Sequence, residues 1–270
     1  MRDKRKCPGQ YLGIFLEQCK MSLMAASIFR ANFILMLFQS ILNSLMSVLC
    51  VDFIYGSVET IAGWSRDEMI ILLCTSLVVN QLYRGLVHPN QMRFLSRIIN
   101  GSFDRLLLRP INIYFQINTG SVDISSLLSG LAPVVIIIRK LGALHVRVSL
   151  LSGLLYILLI LNGVAIITSF MMLLYSSAFV FIKADGLSNL YFSMMSVSEK
   201  PKEILEHKSI ILSFLFLIPA IPLANAPAGI LLGKEGVGFM LMNMGAGAVF
   251  FFASRLAVHF GIRRYCSASS

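Results

Sequence analysis

Hydrophobic positions along this chain do not alternate with polar ones at helix or strand period. They gather into runs of fourteen residues or more, separated by short polar stretches. The runs cover Phe33 to Ile54, Met69 to Val87, Ile124 to Ile138, Val148 to Ile182, Ile210 to Leu223 and Val237 to Val258. A helix needs about 20 apolar residues to cross the hydrocarbon layer of a bilayer. The pattern therefore predicts an all-α, polytopic membrane protein with six transmembrane helices, near 33–54, 69–87, 121–138, 148–182, 209–224 and 237–258. The fourth run is too long for one upright crossing. At 1.5 Å per residue it would extend roughly 50 Å against a core of about 30 Å. Tilting, projection beyond the membrane, or a break at Asn162-Gly163 would each accommodate it.

Before the first run, 1–32 has a different texture. Gln10, Gly13, Glu17 and Lys20 recur every three or four residues, while Leu12, Phe15, Leu16, Cys19 and Leu23 fall on the other side of a helix. Such a basic, aromatic-bearing segment suits the plane of the membrane surface, with a plain cytosolic lead-in as the alternative. Basic residues at Arg2 to Lys6 are not followed at once by a compact apolar core, so the start does not read as a secretory signal. Near the other end, Pro219, Pro222 and Pro227 fall within nine residues and remove backbone donors. A kinked or re-entrant element is expected there instead of a straight crossing.

Composition agrees with the pattern. Charged residues make up 13% of the 270, about half the usual soluble share. The formal net charge of +10 is explained by where the cations lie. With the N-terminus inside, the inner segments 1–32, 84–120, 183–208 and 255 onward hold 18 of the 23 Lys and Arg residues, and the outer segments hold 5. Cytoplasmic loops are the ones enriched in these residues, which places both termini in the cytoplasm. Arg139, Lys140 and Arg147 are the exception, as three cations on an expected outer loop. Anionic lipid headgroups are natural partners for this charge; no soluble basic domain exists to bind nucleic acid.

Catalytic signals are nearly absent. His88, His145, His207 and His259 are scattered, and no His, Cys and carboxylate grouping has metal-ligand spacing. The five cysteines form no CxxC pair. Gly229 to Glu235 (GILLGKE) superficially suggests a phosphate loop. It has three residues between its glycines where four are required, and Glu in place of Ser or Thr after the lysine. No catalytic, cofactor or metal site is expected.

The informative polar stretch is 93–116, between the second and third runs. Gly101 and Ser102 can end one helix and cap the next. Asp104 then sits in a first turn, where the helix dipole favours a carboxylate. Leu106, Leu107 and Leu108 form an apolar ridge between Arg105 and Arg109, and Pro110 closes the short helix. Such a helix can serve as a knob for a partner's groove or can lie on the lipid surface.

Gly101-Ser-Phe-Asp104-Arg-Leu-Leu-Leu-Arg109-Pro110 resembles a signature of bacterial ABC transporter permeases of the type-2 (exporter) superfamily, in the six-span branch of about 260 residues. Gly63-Trp64-Ser65 with Glu68 is similar to the pattern that opens that family's second span. Ile218-Pro219-Ala-Ile-Pro222, continuing through Ala226-Pro227 to Gly233, is similar to its Pro-rich turn before the last span. The sequence departs from the pattern at Glu199-Lys200-Pro201, where the family carries an aromatic before the proline.

The resemblance implies a permease subunit of an ATP-driven transporter in the bacterial inner membrane, without a nucleotide site of its own. A separate ABC ATPase subunit would push on a cytoplasmic coupling helix, here Ser102 to Arg109 followed by Pro110, with Asp104, Arg105 and Leu107 among its contact residues. A second permease, the same or a similar chain, would complete the path. Polar residues inside spans are candidates for that path: Gln39 and Asn43 on one face of the first, Asn80 in the second, and Asn162 in the fourth. Packing between helices is the alternative role for each. A secondary transporter or channel without an ATPase, and a membrane-embedded enzyme or assembly factor, are the competing classes. The first would show inverted repeats and intramembrane charges, and the second convergent catalytic residues; neither set is evident.

Overall fold

The computed structural model describes residues 8–146, 148–179, 186–205 and 207–265. They form an almost wholly helical bundle. Helices α1 (Pro8–Ile28) and α2 (Arg30–Ile54) come first, followed by a hairpin of β1 (Thr60–Ile61) and β2 (Trp64–Ser65) and then α3 (Arg66–Leu86). A connection of three short helices follows: α4 (His88–Ile99), α5 (Asp104–Leu107) and α6 (Ile113–Asn118). Helices α7 (Ile124–Ser129), α8 (Leu131–Ala143), α9 (Leu150–Ser176), α10 (Leu187–Ser198), α11 (Lys208–Phe216), α12 (Ile221–Leu231) and α13 (Val237–Arg264) complete the chain. Five stretches are long and apolar enough to cross a membrane: α2, α3, α7 with α8, α9 with its 3-10 extension to Phe179, and α13; the bent pair α11–α12 is a sixth candidate.

Helix α3 is the hub. It is buried along most of its length and packs against α2, α7, α8, α9 and α12. Gln81 Nε2 donates to Ser40 Oγ at 2.8 Å, and Ser40 Oγ donates to Ser129 Oγ at 2.9 Å, so one polar chain ties α2, α3 and α7 together. Hydroxyls and amides suit this task because lipid tails offer helices no hydrophobic drive to associate.

The bundle has two ends. At the hairpin end, Ala62 and Gly63 both adopt positive φ, the geometry of a tight two-residue turn between twisted strands. Glu68 accepts hydrogen bonds from Ser65 N–H at 2.8 Å and Ser65 Oγ at 3.0 Å, starting α3. All four salt bridges among the described residues lie here: Arg66–Asp52 at 2.7 Å, Lys140–Asp67 at 2.6 Å, Lys234–Glu68 at 2.8 Å, and Lys202–Glu235. The other end is the connection α4–α6, against which α1 and the C-terminal end of α13 are held. Ser22 Oγ accepts from Val122 N–H at 2.9 Å, and Tyr265 stacks edge-on to Phe103 at 5.2 Å. Both termini of the described chain therefore share one end.

Several boundaries differ from expectation. Gln10, Gly13, Glu17 and Lys20 of α1 are exposed as expected, but its apolar side divides. Phe15 and Cys19 pack on the chain, and Leu12, Leu16 and Leu23 are exposed. The third run extends to Ala143, so Arg139 and Lys140 occupy its last turns and are not loop residues. Helix α9 runs unbroken through Asn162-Gly163, and the surplus length projects into the connection end. Residues 180–182 of that run lie outside the described residues.

The largest correction concerns 183–208, expected on the same side as 84–120. Helix α10 does begin near that end, where Tyr191 donates to Asn80 Oδ1 and stacks on His88 at 5.4 Å. Its continuation reaches the opposite end: Trp64 Nε1 donates to Glu203 Oε2 at 2.9 Å, and Lys202 pairs with Glu235. Asn225 holds the turn at Pro201, donating to Lys200 O at 3.0 Å and accepting from Lys202 N–H at 2.8 Å. The expected fifth span, 209–224, is instead two helices bent by 108° at residues 217–220. The kink was expected; a regular, buried helix through Pro222 and Pro227 was not. Pro222 lies in the first turn, where a missing N–H costs nothing, and only Pro227 interrupts the ladder.

Candidate functional site

The connection end carries the candidate site, and its shape follows from two helix stops and one buried ring. Helix α4 starts with Pro89 in its first turn and ends at Gly101, whose φ of +64° only glycine adopts without strain. Ser102 N–H donates to Arg97 O at 2.9 Å and Gly101 N–H to Ile98 O at 3.2 Å, the paired bonds of a Schellman stop. Ser102 thus closes α4 and does not cap the next helix; α5 has no side-chain cap and only four residues. Asp104 lies in its first turn, as expected. Asn112 then starts α6 by accepting from Tyr114 and Phe115 N–H at 3.0 and 3.2 Å.

Between these stops Phe103 points inward and is fully buried. Its ring meets Phe94 of α4 at 5.7 Å, Phe179 beyond α9 at 5.4 Å and Tyr265 beyond α13 at 5.2 Å, all edge-on. That is the favoured geometry for aromatic quadrupoles. Phe94 also meets Phe179 at 5.7 Å. The projecting end of α9 is what brings Phe179 here, and Gly261 makes room for it: a Cβ at that position would lie 2.2 Å from Phe179 Cδ2.

The expected leucine ridge is not exposed as a unit. Leu106 is buried at 3% exposure, Leu107 is half-buried, and Leu108 is 82% exposed. Arg105, Arg109 and Pro110 are exposed beside it, while Ser102 and Asp104 are half-buried. The tip is therefore Arg105, Leu108, Arg109 and Pro110, standing on an anchor of Phe103 and Leu106. Sequence reasoning missed the anchor; the signal was the pair Phe94 and Phe103 on either side of a glycine stop.

Electrostatically the segment is cationic. Arg97 is held below its usual value by burial and by the neighbouring charges of Arg109, Arg93 and Arg105. His88, at the start of α4, is half-buried beside Tyr83 and Tyr191, and desolvation followed by the charge of Arg84 pulls its pKa down to about 4.

Over residues 41–269 the sequence matches the family described as ABC-2 family transporter protein. The chain belongs to the ABC-2 transporter family. It is a multi-pass membrane permease of an ABC transporter, a transport component, and such permeases generally work with an ABC ATPase subunit. No curated protein and no solved structure matches the chain.

In this permease the four polar residues expected along a path are not brought together. Gln39 and Asn43 are exposed on α2, and no hydrogen bond among the described residues engages their amides. Asn80 is held by Tyr191. Asn162 Nδ2 donates to Asn243 Oδ1 at 2.6 Å, and Asn243 Nδ2 donates to Pro222 O at 3.0 Å, locking α9, α13 and α12. Asn80 and Asn162 thus make packing bonds. The GILLGKE stretch is a second Schellman stop: Gly233 has φ +68°, and Lys234 N–H donates to Gly229 O at 2.8 Å. Lys234 Nζ then reaches Gly63 O at 2.9 Å and lies 4.5 Å from the Trp64 ring centroid.

Proposed function

We propose that this permease is the membrane subunit of an ATP-driven exporter, powered by a separate ATPase that pushes on the tip at residues 102–110. The observation that carries the reading is the burial of Phe103 between Phe94, Phe179 and Tyr265. A tip that merely rested on lipid would need no such anchor. This one is fixed at once to the ends of α9 and α13, so a push on Arg105, Leu108 and Arg109 moves the two longest helices of the bundle.

The connection end faces the cytoplasm in this reading. Moving Lys200, Lys202 and Lys208 to the hairpin end changes the division of the 23 basic residues from 18 against 5 to 15 against 8, which keeps its direction. Arg66, Lys140, Lys202 and Lys234 at the hairpin end are paired with carboxylates, so the unneutralised excess is larger than the count implies. The crossings are then α2, α3, α7–α8, α9, the segment from α10 to Leu205, and α13, with α11–α12 dipping in from the outer side. Helix α1 lies at the inner surface of a bacterial inner membrane, its exposed leucines toward lipid.

A second permease, the same or a similar chain, covers α2. Gln39 and Asn43 lie mid-helix on its exposed face, and an amide facing hydrocarbon without a partner costs several kcal/mol by transfer estimates of about 2–7. Those two residues are the path or interface candidates that remain. The test is co-purification of an ABC ATPase with the permease and substrate-stimulated ATP hydrolysis in vesicles. A permease that transports at full rate with no ATPase present refutes the reading.

A further inference from the structure

Beside the tip lies a cavity of ≈ 210 Å³ between α1, α4 and the segment from Leu106 to Gly120. Arg93 and Arg97 line it from α4, and Arg109 from the end of the tip. No Asp or Glu lines it, and none of the three arginines forms a salt bridge with a described residue. Asp104 and Glu17 are the carboxylates nearest in sequence, and neither is on its wall. Like charges gathered around one cavity repel, and desolvation adds a cost for the half-buried Arg97, while Arg93 and Arg109 are exposed. The depression of Arg97 reports both effects. The guanidinium is also the side chain whose fork matches phosphate oxygens in pairs.

The remaining polar atoms narrow the chemistry. Gln18 of α1 and Gln116 of α6 both line the cavity, and each has a buried Oε1 without a hydrogen-bond partner. Gln116 Nε2 donates to Ile111 O at 2.7 Å, which fixes that amide so that its oxygen is the free atom. Cations and bare acceptors around one cavity suit a ligand carrying both an anionic phosphate and a hydroxyl. Helix α1, which contributes Ile14 and Gln18 to the lining, also carries the exposed Leu12 and Leu16.

We propose that this cavity binds a hydroxyl-bearing phosphate of the glycerol phosphate class, with Arg93, Arg97 and Arg109 on the phosphate and the Gln18 and Gln116 carbonyls accepting from the hydroxyl. The phosphate is either the headgroup of an anionic lipid or a free phosphate ester. Occupancy would neutralise the cluster and pin α1 to the tip. The inference does not depend on ATP coupling, because its test uses the full-length permease alone.

The full-length chain, delipidated in neutral detergent, is titrated with phosphatidylglycerol, with free glycerol phosphate, and with phosphatidylcholine, which has no hydroxyl and a compensating cation. Binding is read by native mass spectrometry and by the thermal unfolding midpoint. Phosphatidylglycerol or glycerol phosphate binds and phosphatidylcholine does not; whichever of the first two binds identifies the source. Arg97→Gln weakens binding at least tenfold. Arg109→Gln, an exposed position whose replacement leaves the fold intact, does the same. Arg263→Gln, a cation at the same end outside the cavity, leaves it unchanged. Absence of binding by both phosphates, or an equal loss in Arg263→Gln, overturns the site. So does binding that survives Arg97→Gln and Arg109→Gln, including the case where those variants lose only the ATPase, which would assign the cluster to a protein interface.

Discussion

Replacing Phe103 by alanine separates holding the ATPase from being moved by it. The ring is fully buried and sits in three edge-on contacts. Burying and packing a phenylalanine is worth about 3–5 kcal/mol when it is truncated to alanine, of which each aromatic pair supplies about 0.5–1.5. That is large beside the strength of a four-residue helix, which cannot hold itself together in water. The tip therefore stays attached to α4 through the Gly101 stop but loses its grip on Phe179 and Tyr265. Leu108→Glu is the opposite perturbation: it leaves the anchor and puts a carboxylate where the 82% exposed leucine would enter a partner's groove. In reconstituted vesicles Phe103→Ala should retain ATPase association within about threefold, an effect under roughly 1 kcal/mol, and lose most substrate-stimulated hydrolysis. Leu108→Glu should lose association itself. Abundance, measured in the membrane fraction, should stay near wild type for Leu108→Glu. If the two variants show the same phenotype, whether both bind and couple or both fail to bind, Phe103 is not a transmission element and the reasoning fails.

Other expectations follow from the same contacts. Gly247→Ala would place a Cβ 2.2 Å from Asn162 Oδ1 and should lower the thermal unfolding midpoint through an overpacking cost of about 1–3 kcal/mol, with Asn162→Ala in the same chain restoring part of it. His88 has a folded pKa of about 4 against an ordinary 6.5, so the unfolded chain binds the extra proton first. Stability in detergent should be flat above pH 6.5 and fall by up to about 3 kcal/mol between pH 6.5 and 4, and His88→Phe should flatten that limb. In a cysteine-free background, cysteines at Ser57 and Lys200 should label from outside intact cells and one at Ser102 should not; labelling of 102 together with 57 sinks the orientation. A single cysteine at Asn43 should crosslink two permeases in membranes, and failure there with efficient crosslinking elsewhere moves the interface off α2.

The helical class and most crossings were legible in the sequence because hydrocarbon thickness translates directly into run length. The hub α3, the 33–54 helix and the last helix lie close to their expected positions for that reason. That 187–205 runs from the connection end to the hairpin end was not legible because two signals competed. Residues 210–223 are more apolar than 187–205, and hydropathy alone prefers them. The decisive facts are long-range: Trp64 on Glu203, Lys202 on Glu235, and Asn225 on both sides of Pro201. No local window contains such pairings, although Lys, Glu and Pro interrupting a hydrophobic stretch hinted that these polar groups are satisfied by protein. At the tip, Gly101 and Pro110 marked the ends correctly. The ridge Leu106 to Leu108 was misread because three consecutive leucines cannot share one face of a helix, where neighbours in sequence point about 100° apart. One must turn inward, and Leu106 does.

The over-long fourth run now has a physical reason. A helix that only had to cross about 30 Å of hydrocarbon would stop after about 20 residues. Leu150 to Phe179 continues for 30, and its last turn ends in the ring that Phe103 meets. Asn162, near the middle of the same helix, is bonded to α13 and through Asn243 to Pro222 of α12. One rigid rod therefore touches the tip at one end and helix α12 along its middle. Gly163 lets that contact be close: a Cβ there would lie 3.3 Å from Leu223 O. Small displacements at a packed interface are transmitted and not absorbed, because cores packed to crystal density resist compression. A shift of α9 driven from the tip would then reach Pro222 and Leu223 in the first turn of α12, directly after the 108° bend at 217–220.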